Sequence, residues 1–259
     1  MKRLFGGKIL LIRRKYVMAL ALMAAVAGIF YIINHPALVG ITARERALPI
    51  YSVGRDDDAI ALTFNITTAE DAHTATVAEV LNAFDVRATF FVTGEWVREN
   101  GGFAAELARS GHELMNLSDD HCLLRKRPAA EVQANVRAGS DAIEAITGTR
   151  PTVFRAPYGE YDDKIVALVA GLGMRTVQWS VDSGDWRGRD AAAIVRQVQR
   201  RAFPGAIVLL HSNLEQTALA MPDLLEGLLQ QGYILIPVSE LVHETEFTIS
   251  ITGRQIPSG

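Results

Sequence analysis

Five polar clusters in this chain each follow an apolar, strand-like run. Asn65 closes IALTFN, Asn116 closes GHELMN with His121 just beyond, and Arg155 lies in TVFRAPYG. Asp182 and Asp185 lie in TVQWSVDSGDW, and His211 ends AIVLLH. Amide hydrolysis is one chemistry against which amide, imidazole, guanidinium and carboxylate groups of this kind can be weighed. It requires a water made nucleophilic, a polarised carbonyl whose oxyanion is stabilised, and an acid for the departing amine. A divalent metal can do the first two together. A neutral amide such as Asn65 cannot take a proton from water, and a lone imidazole does not hold Zn²⁺, whose sites use three or four protein ligands.

Residues so far apart converge when the strands that carry them are parallel, because the C-terminal strand ends of an α/β barrel form one rim. From Ala59 onward, short apolar runs alternate with helical stretches at His73 to Phe84, Pro128 to Thr147, Asp162 to Leu172, Asp190 to Ala202 and Gln216 to Gln231. The alternation predicts parallel β/α units, about seven strands ending with YILIPV, closed into a barrel or left as an open sheet. Residues 35–58, broken by Pro36, Pro49, Gly54 and the run Asp56 to Asp58, read as a linker in which LPIYSV could add a short strand. Residues 244–259 read as an appended tail, with FTISI an edge strand and ITGRQIPSG mobile.

At 259 residues, 49% of them apolar, the chain can bury one large core, so a single main domain over residues 59–243 is expected. The lone Cys122 excludes an internal disulfide and reads as a small buried residue. Nothing charged interrupts Tyr16 to Ile33, and Lys2, Arg3, Lys8, Arg13, Arg14 and Lys15 precede it without an acidic residue. Residues 16–34 therefore read as a transmembrane signal anchor, residues 1–15 as its cytoplasmic flank, and the rest as extracytoplasmic. A cleaved signal peptide shares these features; the length of the run and the lack of a clean small-x-small site favour the uncleaved anchor. Setting those six cations aside from the 26 leaves 20 basic residues against 29 acidic ones. That acidic balance argues against nucleic acid as a partner.

The ordered motifs ALTFNITT with VRATFFVTG, GHELMNLSDDH, FRAPYGEYDD, WSVDSGDW and GAIVLLHSN resemble the NodB homology domain of polysaccharide deacetylases across roughly residues 59–243. The membrane-anchored layout, with ALPIYSV leading into IALTF, is most similar to the sporulation-associated PdaB-like group. The resemblance implies a distorted (β/α)7-type barrel behind one N-terminal transmembrane helix. It implies removal of acetyl from N-acetylglucosamine or N-acetylmuramic acid in peptidoglycan or a related glycan, with a divalent metal (Zn, Co or similar).

Carried onto this chain, the family pattern puts the base at Asn65, the metal ligands at Ile66, Leu117 and His121, the bracing arginine at Arg155 and the general acid at His211. Asp185 would hold the tautomer of His211, and Trp186, Leu209, Tyr158 and Asp182 would contact substrate. Only His121 of the three ligand positions keeps a ligand, so no bound cofactor is expected. The two outcomes are a deacetylase with an altered mechanism and an inactive peptidoglycan binder. Other readings stay open: Arg155 in a rim ion pair with Asp182 or Asp185, Trp186 and Leu209 as core, and His112 as core. Asp119, Asp120, Glu70, Asp71 and His73 could lend replacement ligands, although Glu70 and Asp71 better suit a helix start.

Overall fold

The computed structural model describes residues 14–34, 47–67, 73–244 and 246–258. Its first element is helix α1 (Arg14–Asn34), 21 residues long. The side chains of Met18, Leu20, Leu22, Met23, Val26, Phe30 and Tyr31 on it are exposed. Among the described residues no helix is long and apolar enough to cross a membrane. Several side chains of α1 lie outside that set, so the expected transmembrane helix gains no support from the fold.

The second compact unit runs from Ala47 to Gly259. Its centre is β2 (Ala59–Ile66), flanked by β3 (Thr89–Val92) and β8 (Ile207–His211), both parallel to it. Beyond β3 come β4 (Glu113–Asn116), β5 (Val153–Phe154) and β6 (Arg175–Thr176), and beyond β8 comes β7 (Val181–Asp182). β9 (Ile234–Leu235) pairs with the start of β2. The strand order β6-β5-β4-β3-β2-β8-β7 is that of a curled parallel sheet. Among the described residues β6 and β7 do not pair, so the expected closed barrel is instead a half-barrel with a seam.

Helices return the chain between strands where the apolar periodicity places them. They are Thr74–Ala83, Ala129–Thr147, Asp163–Ala170, Ala191–Arg201 and Glu215–Gln230. Asp162 accepts from the Ile165 N–H at 2.9 Å and Asp190 from the Ala193 N–H at 2.6 Å, so both acids are N-caps. Two further helices, Gly94–Glu99 and Gly101–Arg109, follow β3 and have no counterpart in the periodicity reading. The expected helix start at Glu70 and Asp71 lies outside the described residues.

Alternation along β2 sorts its side chains. Ile60, Leu62, Phe64 and Ile66 join the core beneath the helices, whereas Ala59 and Ala61 join a second cluster with Phe91, Met115, Leu117 and Ile207. Thr63 and Asn65 continue that second, inner face by the period of two. Burying each large aliphatic or aromatic side chain here contributes roughly 1.5–3 kcal/mol. His112 is a core residue as expected, 4% exposed, its ring edge-on to Phe90 at 5.4 Å. Burial pulls its imidazole down from 6.5 to about 4. Cys122 is half-buried in a loop and packs against the edge of the cluster that holds Leu124, Phe154 and Ile165.

The ends of the expected domain differ from the sequence reading. β1 (Ser52–Val53) and β10 (Phe247–Ile249) both pair with β11 (Arg254–Pro257), which makes a separate three-stranded sheet. The segment ITGRQIPSG, expected to be mobile, thus carries the middle strand of that sheet. Gln255 fixes it: fully buried, its amide accepts from the His243 N–H and donates to the His243 carbonyl, both at 2.9 Å.

Candidate functional site

Strand register assembles the site. Asn65 of β2 is the direct partner of His211 in β8 and of Phe91 in β3, while Leu209 partners both Thr63 and Asp182. Partner side chains on parallel strands point the same way about 4.8 Å apart. Residues separated by more than a hundred positions therefore meet on one face. Asn65, Asp182, Leu209 and His211 line a cavity of about 310 Å³ together with Thr67, His121, Tyr158, Gly159, Trp179 and Trp186.

Arg155 lies behind this cavity. It follows the short strand β5, its guanidinium is fully buried, and its Cζ lies 3.9 Å from the centre of the Phe91 ring. Nη1 donates to Asn65 Oδ1 at 3.0 Å and Nη2 to the Gln178 carbonyl at 3.1 Å. Burial pulls its pKa down to about 9, which leaves it a cation at neutral pH. The rim ion pair with Asp182 or Asp185 is not formed, because both carboxylates are engaged elsewhere. Asp182 accepts from the Gly184 N–H at 2.8 Å and Trp186 Nε1 at 3.3 Å, with Arg187 at 3.7 Å. Asp185 binds His211.

The His211–Asp185 unit is intact. Asp185 Oδ1 lies 2.9 Å from His211 Nδ1, and Oδ2 accepts from the His211 backbone N–H at 2.6 Å and Thr217 Oγ1 at 2.9 Å. Trp186 N–H adds a bond to Oδ1 at 2.8 Å. Burial works against the charged form of Asp185, but His211 and Thr217 outweigh it and hold the carboxyl below its ordinary range. With Nδ1 committed to Asp185, Nε2 is the ring nitrogen available to a ligand.

The other half of the site is apolar at two of the three positions where the resemblance puts metal ligands. Ile66 and Leu117 are fully buried apolar side chains, the first packed beneath the helices and the second in the inner core. His121 lines the cavity, its ring 4.4 Å from that of Tyr158. Burial, and then the neighbouring His211, lower its pKa. Of the candidate replacement ligands, Asp119 pairs with Arg98 and Asp120 with Arg127 and Asn135, while Glu70 and Asp71 lie outside the described residues. Among the described residues no cluster of three or more His, Cys, Asp or Glu could hold a metal ion. The donor set does not fit the family's divalent cation, and no step through one follows.

Of the expected substrate contacts, Trp186, Tyr158, Leu209 and Asp182 all border the cavity. Trp186 is 55% exposed with Arg187 over its ring at 4.5 Å, so the core alternative does not hold for it. Leu209 is buried yet borders the cavity, serving both readings. Sequence reasoning missed Thr67, Trp179 and Thr217. Trp179 approaches because position 159 is glycine: a Cβ there would lie 2.8 Å from its ring. Thr217 is positioned by the helix after β8, and nothing in its local sequence marks it.

The site thus gathers strand-end residues from five ordered motifs on one face of a curled parallel α/β sheet. The polysaccharide deacetylase family model matches residues 52–177. The peptidoglycan-N-acetylmuramic acid deacetylase PdaA of Bacillus subtilis is 30% identical, the match covering 79% of each chain. The peptidoglycan-N-acetylglucosamine deacetylase PgdA of Listeria monocytogenes is 35% identical over 71% of this chain, which spans 39% of PgdA's length. Among solved structures, BA3943 of Bacillus anthracis, a CE4 family pseudoenzyme, superposes with a TM-score of 0.72 at 31% identity. That match covers 76% of this chain and 69% of BA3943. A BA3943 mutant with restored enzymatic activity is equally similar. The chain belongs to the polysaccharide deacetylase family.

Proposed function

We propose that this chain binds N-acetylated cell-wall glycan without hydrolysing it. The observation that carries the reading is the Arg155–Asn65 hydrogen bond: the arginine that would brace a catalytic carboxylate instead holds a neutral amide, which cannot serve as a base. The apolar Ile66 and Leu117 support it by removing two of three metal ligands. The cavity, with Trp186 as a stacking platform at its rim, supports retained glycan binding. The resemblance of BA3943, a pseudoenzyme, points the same way. PgdA and PdaA, both peptidoglycan deacetylases by name, suggest N-acetylglucosamine or N-acetylmuramic acid units as the ligand.

A second reading, hydrolysis by an altered mechanism, is favoured by one feature alone, the intact His211–Asp185 pair. Incubating the full-length chain with peptidoglycan and chitin oligomers, with and without added zinc, is expected to release no acetate. Acetate release that His211→Ala abolishes would overturn the binder reading.

We also propose that residues 16–34 anchor the chain, with the main domain on the extracytoplasmic side. The uncharged run and the six basic residues before it support this. The chain is then expected to stay with membranes through an alkaline carbonate wash, and its release into the wash would sink the anchor. A place in sporulation rests on similarity to the PdaB-like group; a mutant lacking this gene would show a spore-cortex defect, and normal spores would exclude it.

A further inference from the structure

We propose that the cavity reads the acetylation state of an amino sugar through the amide nitrogen of Asn65, with no metal involved. The proposal deepens the glycan-binding reading above and rests on it. A guanidinium can only donate hydrogen bonds, so Asn65 must turn Oδ1 towards Arg155 Nη1, 3.0 Å away, and its Nδ2 away from it. Burial of Arg155 against Phe91 makes that choice permanent. Asn65 lines the cavity, and no described residue accepts a bond from its Nδ2. The cavity floor therefore presents a fixed N–H donor where a hydrolase presents a carboxylate.

The surroundings of that donor match an acetamido group. His211 stands beside Asn65 in register, and Leu209, two residues earlier on the same strand face, gives the cavity an apolar wall. A carbonyl oxygen can accept from Asn65 while the acetyl methyl packs against Leu209. A deacetylated sugar brings an ammonium instead. It offers Asn65 no acceptor, and it approaches the Arg155 cation, which no carboxylate neutralises. Among the described residues lining the cavity Asp182 is the one carboxylate, and it is already engaged by the Gly184 N–H, Trp186 and Arg187. The site thus favours the acetylated form over the deacetylated one.

Calorimetric titration of the full-length chain in EDTA tests this, with tetra-N-acetylchitotetraose and its fully deacetylated counterpart as ligands. The acetylated tetramer is expected to bind about tenfold or more tightly, the scale of one well-placed hydrogen bond to a desolvated partner. Asn65→Asp removes the donor and is expected to abolish the preference. The same substitution gives Arg155 a counter-ion, so the variant should melt no lower than the parent, which shows that it folds. Equal binding of the two tetramers by the parent, or an unchanged preference in Asn65→Asp, overturns the proposal while leaving glycan binding standing. Binding of neither tetramer by the parent overturns the glycan-binding reading, and this proposal with it.

Discussion

The triple variant Asn65→Asp, Ile66→Asp, Leu117→His is expected to acquire a zinc-dependent melting temperature that the parent lacks. A carboxylate at 66 and a second imidazole at 117 would join His121 in a three-ligand set of the kind zinc requires, with the carboxylate at 65 as the base. The effect is large because of where Ile66 lies. It is the last residue of β2, fully buried against the core beneath the helices. A carboxylate placed there without a partner costs roughly 3–5 kcal/mol. Metal-free, the triple variant should melt roughly 10 °C below the parent, at about 2–4 °C per kcal/mol for a domain of this size. Zinc at about a thousand times its dissociation constant would restore about 4 kcal/mol. Differential scanning fluorimetry with zinc and with EDTA measures this, and identical curves in both would show that the pocket no longer accommodates a cation.

Asp185→Ala is expected to be nearly as damaging, although no chemistry is asked of it. Its carboxylate is almost fully buried and accepts from the backbone N–H groups of Trp186 and His211, from His211 Nδ1 and from Thr217 Oγ1. Alanine orphans those donors at once, for a loss of about 3–5 kcal/mol. Asp185→Asn keeps one acceptor oxygen and should lose less. The same network gives a pH dependence with a definite sign. Because the folded-state pKa of Asp185 is depressed, its contribution is complete above the ordinary value of 3.8 and is lost as pH falls through the lower folded value. Urea unfolding of parent and Asp185→Ala at neutral pH measures the loss, and a difference below about 1 kcal/mol would contradict the network's role.

The strand ends were legible in the sequence because each apolar run stops at a polar residue. The local pattern places Asn65, Arg155, Asp185 and His211 without knowledge of how the strands pair. The helices were legible for a similar reason, with Asp162 and Asp190 marking their own starts. What could not be read depends on distant contacts. Arg155 chose Asn65 over two carboxylates because β2 and β5 bring their ends together around Phe91, and no spacing encodes that. Strand β11 was invisible because it pairs with β1, some two hundred residues away, and because its Gln255 bonds the backbone of His243, 12 residues away. The seam between β6 and β7 is likewise a property of the whole sheet.

Three residues around the cavity sit in left-handed backbone conformations that only glycine adopts freely: Ser118 (φ 75°), His121 (φ 51°) and Tyr158 (φ 58°). Each such residue costs on the order of 1 kcal/mol or more. In a metalloenzyme that cost is offset when the histidine meets its cation. Here the His121 loop is instead held by Ser118, which accepts from the His121 N–H at 3.0 Å, and by the Asp120 contacts with Arg127 and Asn135. The left-handed turn at His121 is thus held by side chains of this chain. A ligand that contacts His121 meets a loop already held by these bonds, which lowers the ordering cost of binding at that point.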